Sequence, residues 1–279
     1  MGDDRPLKAK ELYPAVFSRH AVAYQRRLDE IMSKGEARGR LRLIELVEAR
    51  PGMRILDLAC GPGTLSRLLA VKVAPGGSVV GIDLASGMID AARRTSPPNA
   101  TFEKMDMEHL LFPDADFDAA VCGHGLQFAP DLGQALREAR RVLRAGGLLC
   151  SSIPVSNEKD SVWELIDSVV DHWLPPPPTV VDDKATRATV GEPGRLKAAA
   201  LDAGFATAEV ETIEEEVVWE SAEHLVSMFM GWWDFAFRIE GMEPLRRQAF
   251  MDEATETVRR THPGEITTRG QTSVMCARA

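Results

Sequence analysis

Residues 56 to 66 read LDLACGPGTLS, an apolar run that stops at an acid and opens into a glycine turn before helix-like sequence resumes. Gly61 and Gly63 let the backbone turn tightly and let a ligand approach with no Cβ in the way. The helix that follows offers free N–H groups at its start. Asp83 closes the next apolar run, SVVGID, where a carboxylate can accept both hydroxyls of a ribose. Asp106 closes the third, in FEKMDMEHL, and is placed to accept the amino group of adenine. Asp57 sets a negative charge beside the glycine turn, which disfavours a pyrophosphate and suits a cation such as a sulfonium amino acid. The third glycine of a dinucleotide fingerprint is replaced by Ser66, which also argues against a dinucleotide. In CGHGLQF, His124 leaves a fourth apolar run toward the same place, with a neutral imidazole able to take a proton near neutral pH.

These side chains need a scaffold that gathers strand ends. From Met53 to about Ile153 strand patterns alternate with helix patterns. MRILDLA, SVVGID, ATFEKMD, FDAAVCG and LLCSSIP read as five strands. Between them, Thr64 to Val73 and SGMIDAARR read as helices, with Ser86 as the expected cap of the second, and Leu132 to Leu143 as an amphipathic helix closed by RAGG. Such alternation predicts an α/β fold with a parallel sheet and right-handed crossovers, and ligands at the carboxyl ends of its strands. Ahead of it, YPAVFSRHAVAYQRRLDEIM reads as one amphipathic helix and ARGRLRLIELVEA as another. Beyond it come SVWELIDSVVDHWL, a proline run from Pro175 to Pro178, the helix EPGRLKAAALDAGF and an extended ATAEVETIEEEVVW. SAEHLVSMFMGWWDFAFRIEG and EPLRRQAFMDEATETVRRTH follow as two helices, then a closing strand near GQTSVMCAR. The expected organisation is a helical cover over 1–50, a ligand-binding core over 51–155, and lid helices with the sheet's closing strands over 156–279.

With 279 residues, 44% of them hydrophobic, the chain can bury a full core, and a formal net charge of −9 repels a polyanion such as nucleic acid. The cysteines (Cys60, Cys122, Cys150 and Cys276) form no CxxC pair, against a structural zinc or a disulfide scaffold. No run approaches a membrane span and the N-terminus lacks a signal peptide's apolar core, so a cytoplasmic protein is expected. No metal site is expected either, because no Asp, Glu and Asn cluster stands at ligand spacing.

In order and in combination, ILDLACGPGTLS, VVGIDLASGMIDAAR and FEKMDMEHLLFPDADFDAAVCGHGLQFAPDLGQALREARRVLRAGG resemble the motifs of class I S-adenosylmethionine-dependent methyltransferases. They are most similar to the group related to ubiquinone- and menaquinone-biosynthesis methyltransferases. The resemblance covers about residues 10 to 155 and implies a Rossmann-like, mostly parallel seven-stranded sheet with helices on both faces. It implies S-adenosylmethionine as cofactor. Asp57, Gly61 and Gly63 would border its methionine part, with Ala59 and Cys60 on the turn wall. Asp83 would hold the ribose, Leu84 and Met88 would lie against the adenine, and Asp106 would accept its amino group beside Met107. Cys122 and Gly123 would approach the methionine part through their backbone, and Phe17 and Tyr24 would cover the cofactor.

Methyl transfer from a sulfonium is an in-line displacement in which alignment is the main task. A base is needed only where the acceptor must lose a proton, and His124 is the candidate, with His20 on the cover second. Of the other histidines, His172 and His224 fall in the lid helices, and His109 and His262 read as surface residues. The aromatic and methionine residues Met228, Met230, Trp232, Trp233, Phe235 and Phe237 are expected to supply acceptor walls, core, or both. The reading is a methyltransferase for a small, rather hydrophobic metabolite, with oxygen slightly favoured over carbon or nitrogen as acceptor and a homodimer left open. Two alternatives remain: a protein that uses the bound sulfonium as scaffold for a non-methylating reaction, and a nucleotide-dependent oxidoreductase.

Overall fold

The computed structural model describes residues 7–157, 162–230 and 232–279. A seven-stranded sheet runs through it, with β1 (Arg54–Leu58), β2 (Ser78–Asp83), β3 (Ala100–Lys104), β4 (Phe117–Gly123), β5 (Leu143–Asn157), β6 (Thr207–Trp219) and β7 (Ile266–Arg278). Their order is β3-β2-β1-β4-β5-β7-β6. The first five are parallel, and β7 runs antiparallel to both β5 and β6. The helices before β2 are α1 (Ala9–Arg19), α2 (Ala21–Ser33), α3 (Arg38–Leu46) and α4 (Thr64–Val73). Within and just after the parallel strands come α5 (Ser86–Arg94), α6 (Leu132–Val142), α7 (Val162–Trp173), α8 (Lys184–Val190) and α9 (Pro193–Asp202). The last three are α10 (Ala222–Phe229), α11 (Trp233–Ile239) and α12 (Pro244–Thr261).

Successive strand side chains face opposite ways, and both faces are covered. Leu56, Leu58, Val80 and Ile82 pack with Leu136 of α6 and Leu196 of α9, whereas Ile55 and Val79 pack with Leu43 of α3 and Leu69 of α4. On α6 the buried residues Leu132, Ala135, Leu136, Ala139 and Val142 keep helical spacing, and Asp131 caps its start by accepting from the Gln134 amide at 2.8 Å. The order in which strands are added reverses between the parallel neighbours β1 and β4, so the carboxyl ends of these two strands leave a crevice. A separate apolar cluster joins α7, α10, α11 and α12 beyond the far end of β6 and β7, and α11 also meets α1 through Ala236. No described helix is long and apolar enough to cross a membrane.

Several local expectations are corrected. The first amphipathic segment is two helices, parted at His20, whose φ and ψ of −104° and 11° leave the helical region. The segment around Trp232 also splits, into α10 and α11. The helix from Leu132 ends at Val142 and has no glycine cap: Leu143 is extended and already pairs with Phe117, so RAGG lies within β5. Tertiary pairing overrides the local turn signal there. Ser86 lies inside α5, capping nothing; Ala85 precedes the helix, and its amide donates to Asp83.

Candidate active site

The glycine turn is held by the strand ends around it. Asp83 accepts from the Gly61 amide through Oδ2 at 2.9 Å and from the Ala85 amide through Oδ1 at 2.8 Å, tying the turn to the end of β2. Gly63 has φ +77°, and a Cβ there would sit 2.8 Å from the Phe102 ring, so both conformation and space demand glycine. Ser66 has a use the sequence did not disclose: its hydroxyl donates to Asp57 Oδ2 at 2.5 Å. Asp57 Oδ1 remains buried without a partner, and burial pushes this carboxyl up to about 7. Burial also raises Asp83, against the backbone amides of Ala85, Gly61 and Leu84 that lower it.

On the other side of the crevice, β4 ends in Gly123, His124 and Gly125. His124 has φ +60°, a left-handed conformation rare for a non-glycine residue, and its amide donates to the Ser152 carbonyl at 2.9 Å. A Cβ on Gly125 would lie 2.5 Å from that of Ala59, so the two strand-end loops touch through glycine. The His124 Nε2 is buried without a hydrogen-bond partner. Burial, reinforced by Arg40 and Arg27, drives the imidazole well below its usual range and keeps it neutral.

Two cavities meet at His124. The first, of about 100 Å³, is lined by Phe17, Tyr24, Ala59, Gly61, Asp83, Leu84, Met88, Asp106, Met107, Gly123 and His124 among others. Asp57, Cys60, Gly63 and Cys122 do not line it. They stand behind its wall, and burial raises both thiols. The second, of about 470 Å³, shares Phe17, Tyr24, His124 and Phe128 with the first. It extends past Arg27, Arg40, Gln127, Trp163, Trp219, Trp232 and Trp233. Its walls come from both ends of the chain: α2 and α3 on one side, β6, β7 and the start of α11 on the other.

The cover is fastened at several points. Asp29 of α2 accepts from the Thr64 hydroxyl at 2.8 Å and from Arg67 at 2.7 Å, and the Gly87 amide donates to the Ser18 hydroxyl of α1 at 3.2 Å. Phe17 stands edge-on to Tyr24 and to Phe128, at centroid distances of 5.8 and 5.4 Å. Lys10 of α1 reaches across the mouth to Asp106 at 2.7 Å and Glu108 at 2.5 Å. Burial works against both charges, but the contact holds Asp106 below and Lys10 above their ordinary values. Asp106, Glu108 and His109 bring ligand atoms within 4.8 Å of one another, a grouping missed in the sequence, and the Lys10 ammonium already serves as the cation of its two acids. His20 faces away and pairs with Glu240 at 2.8 Å.

Of the aromatic segment, Trp232 and Trp233 reach the larger cavity, while Phe229, Met230 and Phe235 are buried in the helical cluster. Phe237 packs near α1. Arg27, Arg40, Gln127 and Lys10 were not singled out from sequence. Arg27 follows Tyr24 by one helical turn and so shares its inward face, which is the signal that was available.

An acid-lined crevice at the carboxyl ends of a 3-2-1-4-5-7-6 sheet defines a class, and comparison with known proteins narrows it. A family model described as a methyltransferase domain matches residues 55–147. A demethylmenaquinone methyltransferase of Listeria welshimeri is 30% identical over 166 residues, covering 58% of this chain and 70% of the relative. An uncharacterised 37.1 kDa transposon protein of Streptomyces fradiae is 38% identical over 189 residues, covering 64% of this chain but only 51% of the relative. The chain thus spans about half the length of that relative. In fold, it matches a candidate methyltransferase of Bacillus halodurans with a TM-score of 0.53 at 18% identity, over 86% of this chain and 97% of the other. The chain belongs to the class I S-adenosylmethionine-dependent methyltransferases related to those of quinone biosynthesis.

The residues present fit that family's cofactor, S-adenosylmethionine. Asp83 has lone pairs left toward the cavity, Leu84 and Met88 are apolar beside it, and Asp106 stands at the end of β3. Asp57 stands behind the glycine turn with Oδ1 unpartnered, but burial raises it to about 7, so the full negative charge expected there from sequence is not held at neutral pH. The first cavity measures about 100 Å³, with Lys10 of α1 across its mouth on Asp106 at 2.7 Å.

Proposed function

We propose that this protein transfers a methyl group from S-adenosylmethionine to a small, rather hydrophobic metabolite, with an oxygen as the favoured acceptor. The observation that carries this reading is the junction at His124: an acid-lined nucleoside crevice opens directly onto a larger aromatic cavity. S-Adenosylmethionine supplies, when bound, a methyl group already activated by its sulfonium. Asp83 holds the ribose, Asp106 the adenine amino group, and Leu84 and Met88 the ring. Asp57, Ala59, Gly61, Gly63, Cys122 and Gly123 shape the end that receives the methionine part. Phe17 and Tyr24 close the site against water, which also strengthens the polar contacts inside it.

The chain's remaining task is to orient the acceptor, which can supply much of the rate. The tryptophans of the larger cavity provide flat apolar walls for an aromatic or conjugated body. A hydroxyl acceptor would pass its proton to a ring nitrogen of His124, although burial, Arg40 and Arg27 make that imidazole a weaker base than usual. The Listeria relative is named for demethylmenaquinone, and a ring system of that kind matches the tryptophan walls. The test is incubation of the protein with methyl-labelled S-adenosylmethionine and candidate aromatic metabolites, read by mass spectrometry. Labelled product with equimolar S-adenosylhomocysteine is expected. Turnover without label would establish the scaffold reading instead, and NAD binding without S-adenosylmethionine binding the oxidoreductase.

A further inference from the structure

Cys150 of β5 and Cys276 of β7 are 126 positions apart in the chain and directly opposite each other in the antiparallel register. Opposed residues on antiparallel strands point to the same face, with Cα atoms about 4.5 or 5.5 Å apart. Both spacings fall within the range of about 4.4–6.8 Å that a disulfide spans without backbone movement. The side chains follow the backbone: both cysteines are free thiols, and their Sγ atoms stand 2.7 Å apart.

The two thiols differ in a way that suits them to react in turn. Cys150 is fully buried in the apolar cluster that includes Leu43 of α3 and Val274 of β7, whereas Cys276 is half-buried at its margin. The hydrogen bond to Cys276, and then burial, holds Cys150 well above the ordinary thiol range. The same bond holds Cys276 below that range, with Arg278 and Arg42 helping and burial and Glu211 opposing. The more accessible sulfur, with thiolate character, therefore meets a dissolved oxidant first, and its shielded neighbour is already within reach. Cys60 and Cys122 pack on opposite faces of the sheet, and burial raises both.

We propose that Cys150 and Cys276 form a reversible redox site, closed to a disulfide by a peroxide. The Cys276 thiolate attacks one peroxide oxygen and breaks the O–O bond, giving a sulfenic acid and a hydroxide that takes up the proton Cys276 had released. The Cys150 sulfur then attacks the Cys276 sulfur as the S–O bond breaks, and the Cys150 proton joins the departing hydroxide as a second water. One peroxide gains two electrons and the two thiols together lose two. The bond joins the ends of a segment that carries α7 to α12 and β6, and with them one wall of the larger cavity. A cross-link over so long a loop restrains the opened chain, and the strands need not shift to make it. Neither cysteine lines either cavity, so this chemistry is independent of the transferase reading.

The probe is hydrogen peroxide in small molar excess over the reduced whole protein, followed by alkylation of the remaining thiols in denaturant and peptide mapping without reductant. A linked pair of peptides holding Cys150 and Cys276 is expected, two hydrogens lighter than the separate peptides, with Cys60 and Cys122 alkylated. The link should form at least about tenfold faster than oxidation of either other cysteine, and dithiothreitol should restore every thiol. The oxidised protein should melt roughly 5 °C or more above the reduced protein. Cys150→Ala should stop Cys276 at a sulfenic acid that dimedone traps, and Cys276→Ser should leave Cys150 unoxidised. Should either variant fail to fold, the wild-type peptide map and melting curves decide the matter. Absence of the Cys150–Cys276 link, Cys276 carried only to sulfinic or sulfonic acid, or links between molecules in place of one within would overturn the proposal. So would a lower Tm on oxidation, or rapid oxidation of Cys150 in the Cys276→Ser variant.

Discussion

Replacing Asp83 with Ala tests two jobs of one carboxylate, and the structure sets a size for each. The first is structural. Oδ2 accepts from the Gly61 amide and Oδ1 from the Ala85 amide, so the substitution deletes two charge-assisted hydrogen bonds that fasten the glycine turn and the approach to α5. Bonds of this kind contribute about 1.5–3 kcal/mol each, but both amides border a cavity that water can enter, so a combined loss of about 2–4 kcal/mol is expected. For a chain of this size that is a fall in Tm of roughly 5–15 °C. The second job is ligand binding. A carboxylate has about four lone-pair directions, and two remain for a pair of ribose hydroxyls. Their loss should weaken S-adenosylhomocysteine binding by about 10²–10³-fold.

Scanning calorimetry and titration calorimetry on the same preparation read the two effects separately. Asp83→Asn sharpens the test. An amide has one oxygen for two N–H donors and turns its own N–H₂ toward the other, so the isosteric change should cost nearly as much stability as alanine. An Asn variant with the wild-type Tm would refute the account of the turn. An Ala variant that binds S-adenosylhomocysteine within threefold of wild type would refute the assignment of the ribose to Asp83.

Two further outcomes follow from buried titratable groups. Asp57 is held near 7 in the folded chain against about 3.9 unfolded, so between roughly pH 4 and 7 the folded state binds the extra proton and stability falls as pH rises. Asp57→Asn removes that slope and should stabilise the protein above pH 7, by at most about 4 kcal/mol, with the difference vanishing near pH 4; parallel stability–pH curves from urea unfolding would disprove it. His124 is kept neutral by burial and by two arginines, so activity should show no imidazole step near pH 6.5. His124→Ala should lower kcat by about 10² if the acceptor is a hydroxyl, with S-adenosylhomocysteine affinity nearly unchanged. Equal rates for wild type and variant at saturating acceptor would leave His124 as cavity wall.

The parts of this site that could be read from sequence are those built by short-range rules. Asp83 and Asp106 end apolar runs, and a parallel sheet puts every strand's carboxyl end on one edge, so strand pattern alone brings them to one crevice. Ser66 was visible only as a missing glycine, because its bond to Asp57 spans nine residues and a turn whose shape had first to be known. The break at His20 carries no glycine or proline to announce it. The end of α6 was misplaced because β4 recruits Leu143 into the sheet, a pairing that local propensity does not see.

The arginines were hidden for a more general reason. On a helix, an arginine among apolar residues normally snorkels to water, and sequence offers no way to distinguish that from one aimed inward. Arg27 and Arg40 become a pair only when α2 and α3 fold over the same cavity and β6 and β7 close its other side. The wall opposite them is drawn from residues almost two hundred positions away, in the C-terminal part of the chain where the family resemblance is loose. Cofactor recognition is thus written in contiguous motifs, since every member of the family must meet the same nucleoside. Under the proposed function, acceptor recognition is assembled from the N-terminal helices and the closing strands, and it becomes legible only once the two are in contact.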